Sequence, residues 1–495
     1  MKYIKSNVED LKLLHLIDSS PEDITGILAR YSRSNTSLED LVLKFSKENN
    51  GELVKRIINN YGHSSIMNMG YMTCCMEGVS LLALLDIFNR CPLQGGQERS
   101  TRYIDLDKQI NLKDNKEKLN HIYIDNKAEE IYSHWIDSYN LLKGETFNSF
   151  KELFNISNNK LELKSCELRT LDCIRYFIPM GTLTQGGIIQ SGKEWSKLIK
   201  YLKSHKEQEF NLIGEELERI LSKEKESEGK NLIKHTEPSN DIYIELKEII
   251  ERYKDLYTID PLIEDWEIEL LNRDLVDIER VISIYYPDIK RLELESSNNN
   301  LIEEIGNWII KNGNHHNELN NEFRCIGNYI FKGKSDLGTL TDINRHRGCL
   351  FIPFLSSELS EINIDKIYPT YEHLYSLPQY LEIEELSSLR EKYIEAFRKG
   401  FELLEEYTKR ENIDINKIKY LLPKAYRTNY YISLDINRLL YLISLRGKVG
   451  GHISYRMFSY YLSKSAIKNI NLFKHLDNII EYPDIYSKEE FLSRG

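Results

Sequence analysis

Two stretches of this chain recur in the same order, and that recurrence most limits what it can fold into. EGVSLLALLDIFNRC (77–91) superposes without a gap on KGKSDLGTLTDINRH (332–346). The match pairs Gly78 with Gly333, Ser80 with Ser335, Leu82 with Leu337, Ile87 with Asp342 and Arg90 with Arg345. Further along, IPMGTLT (178–184) parallels LPKAYRT (422–428), each followed by a strand-like run and an apolar helix-like run. Either match alone arises by chance, but two in one order point to duplication of a single unit. The expected fold class is α/β (α+β), with two tandem units, each a sheet packed with long helices.

The length of 495 residues exceeds one typical domain, and 41% hydrophobic content is enough for a sizeable core. SKEKESEGKNLIKHTEPSND (222–241) is charged and punctuated by Ser, Gly and Pro, so it reads as a linker between the halves. A solvated helix end is the alternative for its first ten residues. The expected division is a first repeat over 1–225, a linker over 226–241 and a more divergent second repeat over 242–495.

MKYIKSNVEDLKLLHLIDSS has charges through every short apolar run, unlike a signal peptide. No apolar run reaches the ~18 residues of a membrane span. The seven cysteines are odd in number and lack paired CxxC spacing, which argues against a disulfide framework or a zinc site and suits the reducing cytoplasm. A net charge of −11 argues against general nucleic-acid binding. It leaves open a small anion held in a local basic pocket.

Local pattern places the elements. SPEDITGILARYSRS opens like a helix with a serine N-cap and Pro at N1, and SLEDLVLKFSKENNGELVKRIINNYG repeats the helical spacing. HSSIMNMGYMTCCMEGVS reads as a strand, LLALLDIFNRC as an apolar helix, and ELRTLDCIRYFIP as a helix stopped by proline. GTLTQGGIIQS reads as a glycine-broken strand and KEWSKLIKYLKSHKEQEFNLIGEELERIL as one long amphipathic helix.

Three places carry candidate chemistry. In GGQERSTRYIDL (95–106), Glu98, Ser100 and Arg102 alternate, so an extended backbone points them the same way. Ser100 offers a hydroxyl, Arg102 a planar fork matching phosphate oxygens, and Gly95-Gly96 a close backbone approach. The alternative is a salt-bridged surface strand. Arg345-His346-Arg347 needs an anion or carboxylate nearby to hold three successive cationic groups, unless it is a basic helix end favoured by the macrodipole. His63-Ser64-Ser65 after Gly62 either caps the next element or meets a cofactor phosphate. Cys74-Cys75 reads as core, and His315-His316 lacks the further ligands a metal requires. There is no Walker loop, GxGxxG, HExxH or GxSxG.

Together these segments resemble the flavin-dependent thymidylate synthases, whose motif is an Arg-His-Arg triplet, seven residues, then Ser-x-Arg-Tyr. Here Arg90-Cys91-Pro92 stands at the triplet, Gln97-Glu98 at the Asn-Glu pair, and Ser100-Thr101-Arg102-Tyr103 at the close. GHSS (62–65) resembles the family's Gly-His-x-Ser/Thr segment, and Arg175 with Pro179 its Arg-x-x-Leu-Pro turn. NRHR and LRGKVGGHISYR in the second half make the whole similar to the double-length, tandem-repeat branch, with two thymidylate-synthase-complementing-protein-like units. The departures are complementary. The first half lacks the His and second Arg of the triplet, and the second has Leu355 where the motif has Ser.

The resemblance implies reductive one-carbon transfer to C5 of a pyrimidine nucleotide such as dUMP. FAD is the implied cofactor, with NADPH and methylenetetrahydrofolate as co-substrates and no metal. It implies substrate-phosphate contacts from Glu98, Ser100, Arg102 and Arg90, and flavin contacts from His63, Ser65, Arg345, His346 and Arg347. Arg446 and Arg175 would polarise a pyrimidine carbonyl. Since family sites form between subunits of a homotetramer, the two halves are expected to mimic two subunits in a homodimeric pseudo-tetramer, with one composite site type per chain. A same-fold flavoenzyme for another nucleotide or heterocycle, and a non-catalytic nucleotide-binding protein, are the alternatives.

Overall fold

The computed structural model describes residues 2–5, 14–17, 19–32, 36, 38–45, 54, 64–90, 95–103, 105, 125–205, 207–223, 228–238, 266–272, 280–282, 299–317, 319, 321–346, 350–352, 371–410 and 415–493. Strands β1 (Lys2–Lys5) and β2 (Leu14–Ile17) pair antiparallel. They are followed by β3 (Tyr71–Ser80), β4 (Gly95–Glu98), β5 (Leu183–Ser191), β6 (Ile268–Leu270), β7 (Asn328–Asp336), β8 (Leu350–Phe351) and β9 (Arg427–Asp435). One sheet has the order β3-β5-β4 and the other β6-β7-β9-β8. The succession β3-β5-β4 is thus repeated as β7-β9-β8, with β6 added at one edge. Long helices dominate both halves, so the fold is a helix-rich α+β fold carrying two small sheets.

The chain forms two compact units that cut across the repeat boundaries. The smaller comprises Met1–Val79, Arg90–Arg99 and Leu183–Asp260, and the larger comprises Ser80–Asn89, Ser100–Thr182 and Pro261–Gly495.

In the smaller unit the helix Pro21–Tyr31 starts as its sequence dictates, with Ser20 Oγ accepting from the Asp23 N–H at 3.1 Å and Pro21 at N1. The strand expected from His63 begins only at Tyr71, after a 3₁₀ turn over Ser64–Asn68, because the Ser-rich start favours local turns over a ladder. The expected single helix after β5 is two, Gly192–Lys203 and Gln208–Glu218. Asn211 Nδ2 donates to the carbonyls of Leu202, Lys203 and His205 at 3.0, 3.1 and 2.7 Å, satisfying the helix end and fixing the break. The described part of the charged 222–241 run is packed in places: Asn231, Leu232, Ile233 and Thr236 are buried, whereas Lys223, Glu228, Lys230, His235 and Glu237 are exposed. Leu232 is fully buried, and Asn231 donates from its backbone and side chain to Glu22 at 2.7 and 3.0 Å. Gly70 and Gly192 admit Leu232, since a Cβ on either would meet it at 2.3 or 2.7 Å.

The contacts of this segment with Glu218 are expected to respond to pH. Burial alone would raise the Glu218 carboxyl, but hydrogen bonds from Lys223 at 2.6 Å, Thr236, and Lys203 at 3.0 Å outweigh it and hold its pKa down to about 2. A depressed folded pKa stabilises above the unfolded value and loses that contribution as pH falls. Urea midpoints of the protein should therefore drop between about pH 4.5 and pH 2, and Glu218→Gln should flatten that window. The expected size is on the order of 1–2 kcal/mol, discounted because Lys223 is solvent-exposed. An unchanged pH profile in the variant would refute it.

In the larger unit the helix Asn126–Leu153, capped by Asp125, packs on Ser387–Thr408. Trp135 anchors their seam against Phe177, Phe397 and Phe401, and its Nε1–H donates to the Leu421 carbonyl at 2.9 Å. The helix Lys160–Ile174 runs into a 3₁₀ turn at Arg175–Phe177 and stops there, before Pro179 as expected.

The two repeated loops meet in this unit. Pro179 and Pro423 form an antiparallel bridge, with Met180 N–H donating to Leu422 O and Lys424 N–H to Ile178 O, both at 2.9 Å. Each loop also receives the helix that follows the first long strand of its own half. Leu81 and Leu82 donate to Thr182 and Met180 at 2.9 and 3.0 Å, while Leu337 and Gly338 donate to Tyr426 and Lys424 at 3.0 Å each. The caps correspond too, Ser80 Oγ accepting from Ala83 N–H and Asp336 Oδ1 from Thr339 N–H. This corrects the gap-free superposition by one position. Ser80 matches Asp336, Leu81 matches Leu337, and Asp86 matches Asp342. Register follows the N-cap, a role Ser and Asp share, rather than Ser–Ser identity.

Candidate functional site

The larger unit gathers arginines from both halves around two buried carboxylates. The helix Leu337–Asn344 carries Asp342 and ends at Arg345, with His346 in the turn beyond. The helix Ile436–Arg446 delivers Arg446 at its last position, and the turn after Lys160–Ile174 delivers Arg175. Arg102 enters from the turn at 101–103.

Arg102 is 7% exposed. Its Nε donates to Asp172 Oδ1 at 3.2 Å and its Nη1 to the Tyr455 hydroxyl at 3.0 Å. Arg446 Nε donates to His346 Nε2 at 2.9 Å and its Nη2 to the Asp342 carbonyl at 2.7 Å. The guanidinium carbons of Arg102 and Arg446 lie 4.8 and 5.0 Å from the centroid of the Tyr455 ring. Arg175 Nη2 lies 3.0 Å from Asp342 Oδ2, an ion pair without hydrogen-bond geometry.

Charge is concentrated here. Burial alone would raise the Asp342 carboxyl, but Arg175, Arg102, Arg345 and Arg446 outweigh it and hold it well below the usual carboxylate range. Burial, with Arg175 and Arg102 beside it, pushes His452 well below the ordinary histidine value. His452 is thus neutral, its Nδ1 accepting from the Ser454 N–H at 3.0 Å and its Nε2 lying 3.0 Å from the Asp172 carbonyl. Burial also lowers Arg446, which stays charged. Arg102 Nη2 and Arg175 Nε are buried donors with no hydrogen-bond partner among the described residues. A cationic cluster with spare buried donors is chemically suited to an anion, and a phosphate or an anionic ring oxygen would satisfy them.

The expected alternation of Glu98, Ser100 and Arg102 ends with β4. Glu98 is the last residue of that strand, in the smaller unit's sheet, opposite Gly186. Ser100 Oγ instead accepts from the Arg102 N–H at 3.2 Å, so a turn and not a pleat aims Arg102. Arg90 closes the helix Leu81–Arg90, and Ser65 lies in the turn Ser64–Asn68; their side chains fall outside the description. His63 and Arg347 lie outside the described residues. The structure therefore brings together Arg102, Arg175, Arg345, His346 and Arg446. Sequence reasoning missed Asp342, Asp172, His452 and Tyr455. Asp342 was findable, since Asp86-Ile87 and Asp342-Ile343 coincide once the register moves by one. His452 and Tyr455 lie in the run LRGKVGGHISYR, whose resemblance assigned them no role, and Asp172 had no signal. Among the described residues no group of His, Cys, Asp and Glu is placed to hold a metal, and no helix is long and apolar enough to cross a membrane.

Several known proteins are similar to this chain over all or part of its length. A UPF0159 protein of Chlamydia pneumoniae is 22% identical, the match covering 94% of this chain and 91% of that one. UPF0159 proteins of Chlamydia muridarum and Thermoplasma acidophilum are 21% and 22% identical, covering 94% and 88% of this chain and 91% and 90% of their own lengths. Both halves thus recur together in these relatives. A crystal structure of flavin dependent thymidylate synthase ThyX from Helicobacter pylori, complexed with FAD and dUMP, matches at 18% identity and a TM-score of 0.28, covering 44% of this chain and 96% of its own. The sequence model of the thymidylate synthase complementing protein family matches residues 15–225. That matched span contains Ser100, Arg102 and Arg175, and over it the chain is similar to the thymidylate synthase complementing protein family.

Proposed function

We propose that the chain is a flavin-dependent transferase making a reductive one-carbon transfer to a pyrimidine nucleotide such as dUMP, with NADPH and methylenetetrahydrofolate as co-substrates. The observation that carries this reading is the cluster of Arg102, Arg175 and Arg446 around Asp342, with buried donors left over, in a chain whose first part matches the family. Arg102 and Ser100 supply the phosphate side, and Arg446 and Arg175 face negative charge developing on the pyrimidine ring. His346 and Arg345, with His63, Ser65 and Arg347 by resemblance, would hold FAD; Glu98 and Arg90 would complete the phosphate side. When bound, the flavin supplies the redox and carbon-relay chemistry. The residues bind, orient and polarise, and neutral His452 keeps the Asp172–Arg102 pair in place without adding charge.

The register matches support one composite site type per chain. The first half has Leu202, fully buried and without a donor, at the position of Arg446, and the second has Lys419 at the position of Arg175. Two tandem repeats, 1–225 and 242–495, would mimic two subunits, and a cytoplasmic homodimer would make the pseudo-tetramer. Purified protein should carry or take up FAD, shown by flavin absorbance, and should bind dUMP in calorimetry. It should also support growth of a thymidine-requiring host. Flavin uptake without that growth would favour a different nucleotide or heterocycle as substrate. Nucleotide binding without flavin would favour a non-catalytic binding protein.

A further inference from the structure

Tyr455 lies in the first turn of the helix Ile453–Asn469, 6% exposed, inside the run LRGKVGGHISYR but given no role there by the sequence. Its ring is shared by two guanidinium groups, Arg102 at 4.8 Å and Arg446 at 5.0 Å. Arg102 comes from the first half of the chain and Arg446 from the second. Two like charges beside one ring repel, and the negative faces of the ring offset that repulsion. A guanidinium stacked on a ring keeps its donors in one plane, so stacking decides where its N–H groups aim. The Tyr455 hydroxyl adds a second restraint through Arg102 Nη1 at 3.0 Å, leaving Arg102 Nη2 as the buried donor without a partner among the described residues. Arg446 is held at its other edge by His346 and the Asp342 carbonyl, so ring, imidazole and carbonyl together fix its plane.

We infer that Tyr455 is a positioning residue that aligns Arg102 and Arg446 as one paired anion receptor, a role that rests on reading these two arginines as ligand-binding. The aromatic ring does most of this work, and the hydroxyl trims the aim of Arg102. It makes the donors contributed by the two halves act on one ligand instead of on two.

The test is dUMP titration of full-length Tyr455→Phe, Tyr455→Leu and Arg446→Lys variants, with thermal melting alongside. Tyr455→Phe keeps the ring and should bind within about threefold of the parent, whereas Tyr455→Leu should bind at least about tenfold more weakly. Arg446→Lys keeps the charge but loses the flat stack, and should also bind about tenfold more weakly at an unchanged melting temperature. In the Tyr455→Leu background, Arg102→Ala should cost less than in the parent, because the two residues act together. Parental affinity in Tyr455→Leu or in Arg446→Lys overturns the inference, and so does an equal loss in the Phe and Leu variants. A parent protein that binds no dUMP overturns the reading of the site itself, and is told apart because no variant then matters.

Discussion

Arg102→Ala and Arg446→Ala are each expected to abolish nucleotide binding, although the two residues come from opposite halves of the chain. Both guanidinium groups sit on the Tyr455 ring and both act on Asp342, so each loss leaves half a receptor. Charge-assisted contacts to a phosphate or ring oxygen are the strong ones, and removing one should weaken dUMP binding at least about a hundredfold in calorimetry. The two variants differ in stability. Arg102→Ala leaves the buried Asp172 with Arg169 at 3.7 Å, and should lower the melting temperature more than Arg446→Ala does. If only one variant lost binding, the site would belong to one half, and the composite reading would be wrong.

The second large effect is on stability. Asp342→Asn removes the negative charge that Arg175, Arg102, Arg345 and Arg446 share, in a place where water cannot replace it. Arg175 is 1% exposed and pairs with Asp342 at 3.0 Å, so the variant leaves a buried cation beside three others. Breaking a buried pair on one side costs about 3–5 kcal/mol, read here as a lower urea midpoint. Adding Arg175→Met to Asp342→Asn should recover a large part of that loss, because the uncompensated charge goes with it. A double variant no more stable than Asp342→Asn alone would mean the carboxylate does not act through Arg175.

Much of the secondary structure could be read along the chain, because its causes are local. Ser20-Pro21 starts a helix wherever it stands, and the strand expected at GTLTQGGIIQS is β5. The expected long helix after β5 failed for a local reason that periodicity hides. Both Gly192–Lys203 and Gln208–Glu218 keep an apolar face, and the break between them is set by the carbonyls Asn211 reaches back to satisfy. The charged run at 222–241 holds buried residues that its composition does not reveal. Its composition suited water, yet Leu232 and Ile233 are buried and its acid partners include Glu22, more than two hundred residues earlier.

The candidate site divides along the same line. By itself the sequence determined that a basic knot at Ser100–Arg102 and a basic run at Arg345-His346 exist in an acidic chain, and that two segments recur in order. It also carried the residues over which the first part is similar to the thymidylate synthase complementing protein family. Only the tertiary structure decided that Arg102, Arg175 and Arg446 gather around one carboxylate, and that Tyr455 and Asp172 hold Arg102. It also decided that the repeats align by their helix caps, one residue away from their best identity. The reason is that caps, turns and periodicity act over a few residues. Burial and Coulomb forces act through space, and they join residues hundreds of positions apart that no spacing along the chain can pair.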